Sequence, residues 1–449
     1  MTDTVSRRTA LGMLAATAAG AAAPFGPARA QRASPLEITI AGGQFRPIPL
    51  AVPTLFGDDA RAQAQASEIT EVATANLVNS GLFRLVPREA HVQSLESMDQ
   101  PPRFADWRAI GAEALLVGRA AFEPDGRLSL AFRLFDAAAE SQLEGKRYFV
   151  DPAAWRRAAH KLSDAVYTAL TGESGYFDSR IVFVDESGGK GDRVKRLGLM
   201  DQDGANPRYL TDGRHIVLTP RFSPVDQELL YISYETGQPQ VFMINLDSGQ
   251  REALGGFGAQ MSFAPRFSPD GRQVALSLVE GGVTDVFLMD LATRRMRRLT
   301  SGPAIDTAPS FAPDGSRIVF ESDRGGGSQI YLMGAQGGSA ERISFGQGRY
   351  GTPVWSPRGD LIAFTRQAGG RFEIGVMRPD GSGERILDSS YHSEGPSWSP
   401  NGRVLAFFRE TPGQGGGASL FSVDVAGLNL RRLPTPRAAS DPAWSPLLP

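Results

Sequence analysis

From residue 173 onward the chain alternates apolar and polar positions in short runs cut by glycines, and the alternation recurs with a steady period. Its landmark is Pro-x-[Phe/Trp]-[Ser/Ala]-Pro. It stands at 220–224, 265–269, 309–313, 353–357, 396–400 and 442–446, spaced 45, 44, 44, 43 and 46 residues apart. That is the period of propeller blades. Asp270-Gly271, Asp314-Gly315 and Asn401-Gly402 follow the landmark as a type I turn would require. A strand comes next, as in Arg317–Glu321 or Leu361–Thr365, then a glycine turn, a third strand such as Gln329–Met333, and a fourth around Glu341–Ile343. Four strands per period make one blade.

The two ends of the array complete one another. Ser179–Phe183 copies the second strand Ser316–Phe320, yet no landmark precedes it. Pro442–Pro446 is a first strand with no second strand after it. A ring of six blades closed by the C-terminal strand pairs both halves and hides two edges. Phe222, Phe267, Phe311, Trp355, Trp398 and Trp444 hold the same place in each blade and are expected in the core between blades.

Residues 36–172 lack the repeat. Leu36–Ile40 and Ile48–Leu55 suggest strands, and residues 61–79 a helix stopped by Gly81. A strand at Phe83–Val86, a short helix near Phe104–Ile110 and strands at Ala114–Gly118, Leu128–Phe135 and Arg147–Val150 follow. Asp151-Pro152 opens a last helix that Gly172 ends. The expected fold is therefore β-rich with two domains: a small α+β domain with a mixed sheet (31–172), then the propeller (173–449). Residues 171–178 are expected to be a linker. Residues 1–30 have the form of a signal peptide: Arg7 and Arg8, an apolar run from Ala10 to Ala23, and Ala28-Arg29-Ala30 for cleavage. The run of 14 residues is too short for the ~20 of a membrane span. Ser6–Leu11 is similar to a twin-arginine export motif, with Ala10 where Phe is favoured. A soluble periplasmic product, exported by either route, is expected.

Charge narrows the partners. Losing residues 1–30 leaves 44 basic and 48 acidic residues, so no basic excess invites nucleic acid. The absence of cysteine removes disulfides, thiolate ligands and Cys nucleophiles. No Ser lies between Gly residues at −2 and +2, no P-loop surrounds Lys190, and no His-Glu-x-x-His occurs, so no enzyme is expected. His160 is placed on the polar side of its helix. His215 and His392 lie in loops on one rim, too few to hold a metal by themselves. Asp201–Gly204 lacks the remaining ligands of a calcium loop and is expected to be a hairpin turn. No cofactor is expected; a calcium ion in the propeller channel stays open.

The order of export signal, α+β domain and six-bladed propeller, with the run Trp155–Tyr167 and Thr171–Phe177 at the join, resembles the TolB family, the periplasmic component of the Tol–Pal system. The resemblance implies a non-catalytic, monomeric scaffold. It would bind the lipoprotein Pal through the propeller rim and TolA through the N-terminal segment 31–45, serving outer-membrane invagination at cell division and outer-membrane integrity. Further outer-membrane proteins and bacteriocins are implied partners. The family's Pal-contacting positions correspond here to Met261, Ala264 and Thr307; His215, Tyr350, His392 and Glu394 share that rim. The TolA-binding strand corresponds to Leu36, Glu37, Ile38, Thr39 and Ile40. The alternative is a periplasmic glycan-binding or hydrolytic propeller, with Tyr350 and Tyr391 as its rim aromatics.

Overall fold

The computed structural model describes residues 46–189, 192–254, 261–413 and 416–449. The expected signal peptide and the strand Leu36–Ile40 lie outside them. The N-terminal domain is a mixed sheet covered by helices. Its strands are β1 (Ile48–Ala51), β2 (Phe56–Gly57), β3 (Phe83–Leu85), β4 (Ala114–Phe122), β5 (Leu128–Asp136) and β6 (Ser141–Val150), and its helices α1 (Ala60–Asn79), α2 (Phe104–Ala109) and α3 (Trp155–Thr171). The order is β3-β1-β4-β5-β6, with β2 beside β4. β1 runs parallel to β3 and β4, and β4, β5 and β6 are antiparallel. Asp59 starts α1 by accepting the Ala62 N–H at 2.7 Å. Gly172 ends α3 in the left-handed region at φ 74°.

Six four-stranded sheets follow as blades of a propeller. Five are continuous in sequence. The sixth joins Ala438–Trp444 to Arg180–Ser187, Val194–Asp201 and Arg208–Tyr209. The closing pair is antiparallel, Trp444 opposite Ile181 and Ala443 opposite Val182. Its turn chemistry is that of an ordinary blade. In blades two and five the landmark serine accepts the first N–H of the second strand, Ser268 from Gln273 at 2.9 Å and Ser399 from Val404 at 3.0 Å. At the closure Ser445 accepts the Arg180 N–H at 2.8 Å from the far end of the chain.

The first strand of each blade lines the channel, and each is bulged at one place. The residue before the landmark proline takes a positive φ: Thr219, Ala264, Ala308, Thr352, Gly395 and Asp441, between 45° and 68°. The pairing register shifts there in all six blades. Proline has no N–H for the ladder, so the strand steps over it, and five non-glycine residues each carry a strain of roughly 1–2 kcal/mol.

The stretch expected as a linker is a buried joint. Tyr176, Phe177, Asp178 and Ser179 are buried, and one apolar core runs from the N-terminal sheet into the propeller. Aromatic rings carry it across. Phe83 on β3 meets Tyr167 on α3 at 6.1 Å, Tyr167 meets Tyr176 at 5.9 Å, and Tyr176 meets Trp444 on the closing strand at 5.7 Å. Burial pushes the Tyr167 hydroxyl up to about 12. Periodicity alone marked the stretch as a connector because its apolar residues face two domains at once.

The rim of the joint is polar. Glu173 is paired with Arg403 and, at 3.2 Å, with Arg358; these hydrogen bonds and charges hold its carboxyl below the usual range. Asn401 donates to the Ser174 carbonyl at 2.9 Å. His160 differs from its expected place: it is buried, because the 201–204 turn of the propeller packs against that side of α3. Asn76 on α1 donates to His160 Nδ1 at 2.9 Å and accepts from Gln202 at 2.9 Å. Arg156 pairs with Asp203. Asp164 accepts the N–H groups of Phe177 at 2.7 Å and Asp178 at 3.0 Å. Burial outweighs these bonds and raises its pKa to about 6.

Two predictions follow from closure and joint. Trp444→Ala removes a buried indole whose Nε1 donates to Ser179 Oγ at 2.8 Å. It should cost about 3–5 kcal/mol in urea denaturation, far more than a surface substitution. Asp164 holds its proton more tightly folded than unfolded, so its contribution falls as pH rises from about 4 through 6. In Asp164→Asn the stability difference between pH 4 and pH 7 should shift by about 2 kcal/mol relative to the parent. Parallel pH profiles for the two proteins would show that this carboxyl does not titrate as its burial requires.

Candidate functional site: the rim where the inner strands begin

All six inner strands begin at the same end of the channel, so the residues at their starts form one lip. His215 is exposed, two residues before the strand Val217–Phe222. Met261 is exposed immediately before Ser262–Phe267. Ala264 is the bulge residue of that strand, at φ 50°. Thr307, in Asp306–Phe311, accepts the Ser277 hydroxyl at 3.2 Å and is partly exposed. His392 and Glu394 share the strand His392–Trp398.

Tyr350 does not join them at the surface. It is fully buried, with its ring 5.2 Å from Phe364. Its hydroxyl donates to Glu384 at 2.8 Å, which Arg366 also meets at 2.7 Å. Tyrosine carries enough apolar surface to pack between blades while its hydroxyl reaches a half-buried partner. It therefore offers no ring to a ligand, whereas Tyr391 is 60% exposed.

His392 is held on every side. Its Nδ1 lies 3.1 Å from Glu410 and its Nε2 3.0 Å from Glu394, and its ring sits between Phe372 at 4.5 Å and Phe408 at 5.6 Å. Close by, Glu321 accepts the Thr352 N–H at 3.2 Å and a Ser328 hydroxyl bond; burial raises its pKa. Asp306 pairs with Arg324 at 2.8 Å, and Asp388 with Arg409. The lip is thus pre-shaped, with buried or bonded carboxylates beneath its surface.

Exposed apolar side chains interrupt this polar frame at a repeated position. Ile216 (45%), Met261 (38%), Ile305 (52%) and Tyr391 (60%) each stand immediately before an inner strand, and Phe345 (71%) lies in the loop before a fifth. Their backbone is tied down: the Ile216 and Met261 carbonyls accept N–H groups from neighbouring strands, and the Ile305 N–H donates to Asp323 at 2.8 Å. Sequence reasoning passed over Ile216, Ile305 and Phe345. Aligning the fourth residue before each landmark proline would have shown Ile216, Met261 and Ile305 as one apolar column. Several exposed apolar groups on one fixed lip, framed by charges, have the character of a protein-docking surface.

Metal chemistry has one candidate among the described residues. His160, Asp201 and Asp203 bring ligand atoms within 4.8 Å of one another, in the joint rather than the channel. Asp203 is already paired with Arg156, and Asp201 accepts from Asn206 at 2.7 Å. The Asp201–Gly204 segment forms a turn closed by the Gly204 N–H on the Asp201 carbonyl at 2.9 Å. No helix among the described residues is long and apolar enough to cross a membrane.

Known proteins match both parts. A family model described as the TolB amino-terminal domain matches residues 36–143, and one described as the TolB beta propeller domain matches residues 167–448. The Tol-Pal system protein TolB of Dinoroseobacter shibae is 56% identical over 441 residues, covering 97% of this chain and 99% of that protein. The crystal structure of TolB from Acinetobacter baumannii superposes with a TM-score of 0.79 at 28% identity, covering 89% of this chain and 97% of the other.

Proposed function

The chain belongs to the TolB family of non-catalytic Tol–Pal system components, and from that premise we propose that it is a periplasmic scaffold joining two partners. The propeller lip takes the lipoprotein Pal, and the segment containing Leu36–Ile40 takes TolA. In this reading the chain couples the two envelope membranes, draws the outer one inward at division and maintains its integrity. The observation that carries the docking half is the lip of fixed, exposed apolar residues, Ile216, Met261, Ile305 and Tyr391, next to Thr307, His392 and Glu394. A docking face of this kind needs anchors that fill partner pockets and a polar rim that fixes orientation. The tethered N-terminal segment suits recognition by strand addition to a partner sheet. Bacteriocins could reach the same lip only by competing with Pal.

The test measures binding of the periplasmic domain of Pal to immobilised residues 31–449, with the double variant Thr307→Ile, His392→Ala beside the parent. The variant should bind at least tenfold more weakly with an unchanged circular-dichroism spectrum. Equal binding by both would move the contact away from these two positions. No binding by the folded parent would overturn the Pal assignment.

A further inference from the structure

The opposite end of the channel has a different chemistry. There the Ser-Pro turns surround a cavity of about 390 Å³, walled by the six blade aromatics. Immediately after each landmark proline the inner strands carry Arg221, Arg266, Ser310, Val354, Ser397 and Ala443 in turn around the ring. The two arginines fall in adjacent blades and both line the cavity. Each is surrounded by channel wall while keeping some contact with the channel space.

Their charges are poorly answered. Among the described residues Arg221 donates one side-chain hydrogen bond, to the Pro220 carbonyl at 2.7 Å. Asp441, half-buried and one blade away, feels its charge but accepts from the Thr219 N–H at 3.3 Å. Arg266 has no hydrogen-bond or ion-pair partner among the described residues, and its charged neighbour is Arg221. Burial first, and then that like charge, push the Arg266 guanidinium well below its ordinary pKa. Two guanidinia against one carboxylate leave this end of the channel net positive. An unpaired charge walled by aromatic rings is costly, and the cost is relieved when an anion sits between the forks.

We propose that Arg221 and Arg266 form an oxyanion site at the Ser-Pro end of the propeller channel, taking a phosphate group. Guanidinium forks match phosphate oxygens in pairs, and two forks from adjacent blades can grip one group from two sides. The site lies at the far end of the channel from the docking lip, so it stands or falls independently of Pal binding.

The experiment titrates the mature protein with inorganic phosphate by calorimetry, against chloride at matched ionic strength, and follows thermal unfolding in parallel. Phosphate should bind with a Kd below about 1 mM and raise the unfolding midpoint where chloride does not. Arg266→Met should lose at least tenfold in affinity. Without anion it should unfold no earlier than the parent, since it removes a half-buried charge that no group among the described residues answers. Arg349→Ala, at an exposed arginine on the other rim, should bind phosphate as the parent does. Acetate binding as tightly as phosphate, and losing the same factor in Arg266→Met, would keep the site and make a carboxylate its ligand. Phosphate no better than chloride, or undiminished in a folded Arg266→Met, overturns the proposal.

Discussion

Everything in the propeller depends on one strand pairing across its whole length. Ala438–Trp444 lies against Arg180–Ser187, and until it does the sixth blade has no inner strand and the ring has two open edges. The pairing is favoured because both ends carry the ordinary blade grammar. Ser445 caps Arg180 as Ser268 caps Gln273, and Trp444 fills the place that Trp398 fills one blade earlier. The cost of bringing such distant residues together grows only slowly with the loop between them. Closure therefore needs no special chemistry, only a blade divided at the right point.

That strand also fastens the N-terminal domain. Trp444 touches Tyr176, Tyr176 touches Tyr167, and Tyr167 touches Phe83. The rings span from closing strand to N-terminal sheet without a gap, and polar pairs around Glu173, Asp178 and Asn76 seal the margin. A core shared in this way resists hinge motion, since separating the parts would expose several large rings at once. The segment that would bind TolA thus leads into a rigid body, and what happens at the channel lip can be felt at the joint only through packed elements.

Most of the fold was legible in the sequence. The period of the landmark gave the blade count, the two half-blades gave the closure, and Gly172 marked the end of α3, while Asp151-Pro152 opens a 3-10 turn (Pro152–Ala154) that runs into that helix at Trp155. What escaped was amphipathic at the wrong scale for a periodicity argument. Tyr176 and Phe177 look like a linker because two surfaces bury them, and His160 looks solvated because the covering surface comes from another domain. Tyr350 looks like a rim aromatic because its column lies near the lip, while its side chain turns inward toward Phe364. The apolar lip was equally hidden, since a single exposed apolar residue in a loop means little until four of them share a rim.

The proline that defines the repeat ties these observations together. Because it cannot donate to the ladder, every inner strand bulges at the same height, and the bulge divides the channel into two storeys. Residues before it face the lip, where Thr307, His392 and Glu394 stand among carboxylates. Residues after it face the Ser-Pro end, where Arg221 and Arg266 line the cavity. The bulge recurs in all six blades, strained in five and relieved by Gly395 in the other, so it can carry different side chains without moving the scaffold. Function in such a ring is decided column by column: the proline fixes the wall, and the residues on either side of it set the charge at each mouth.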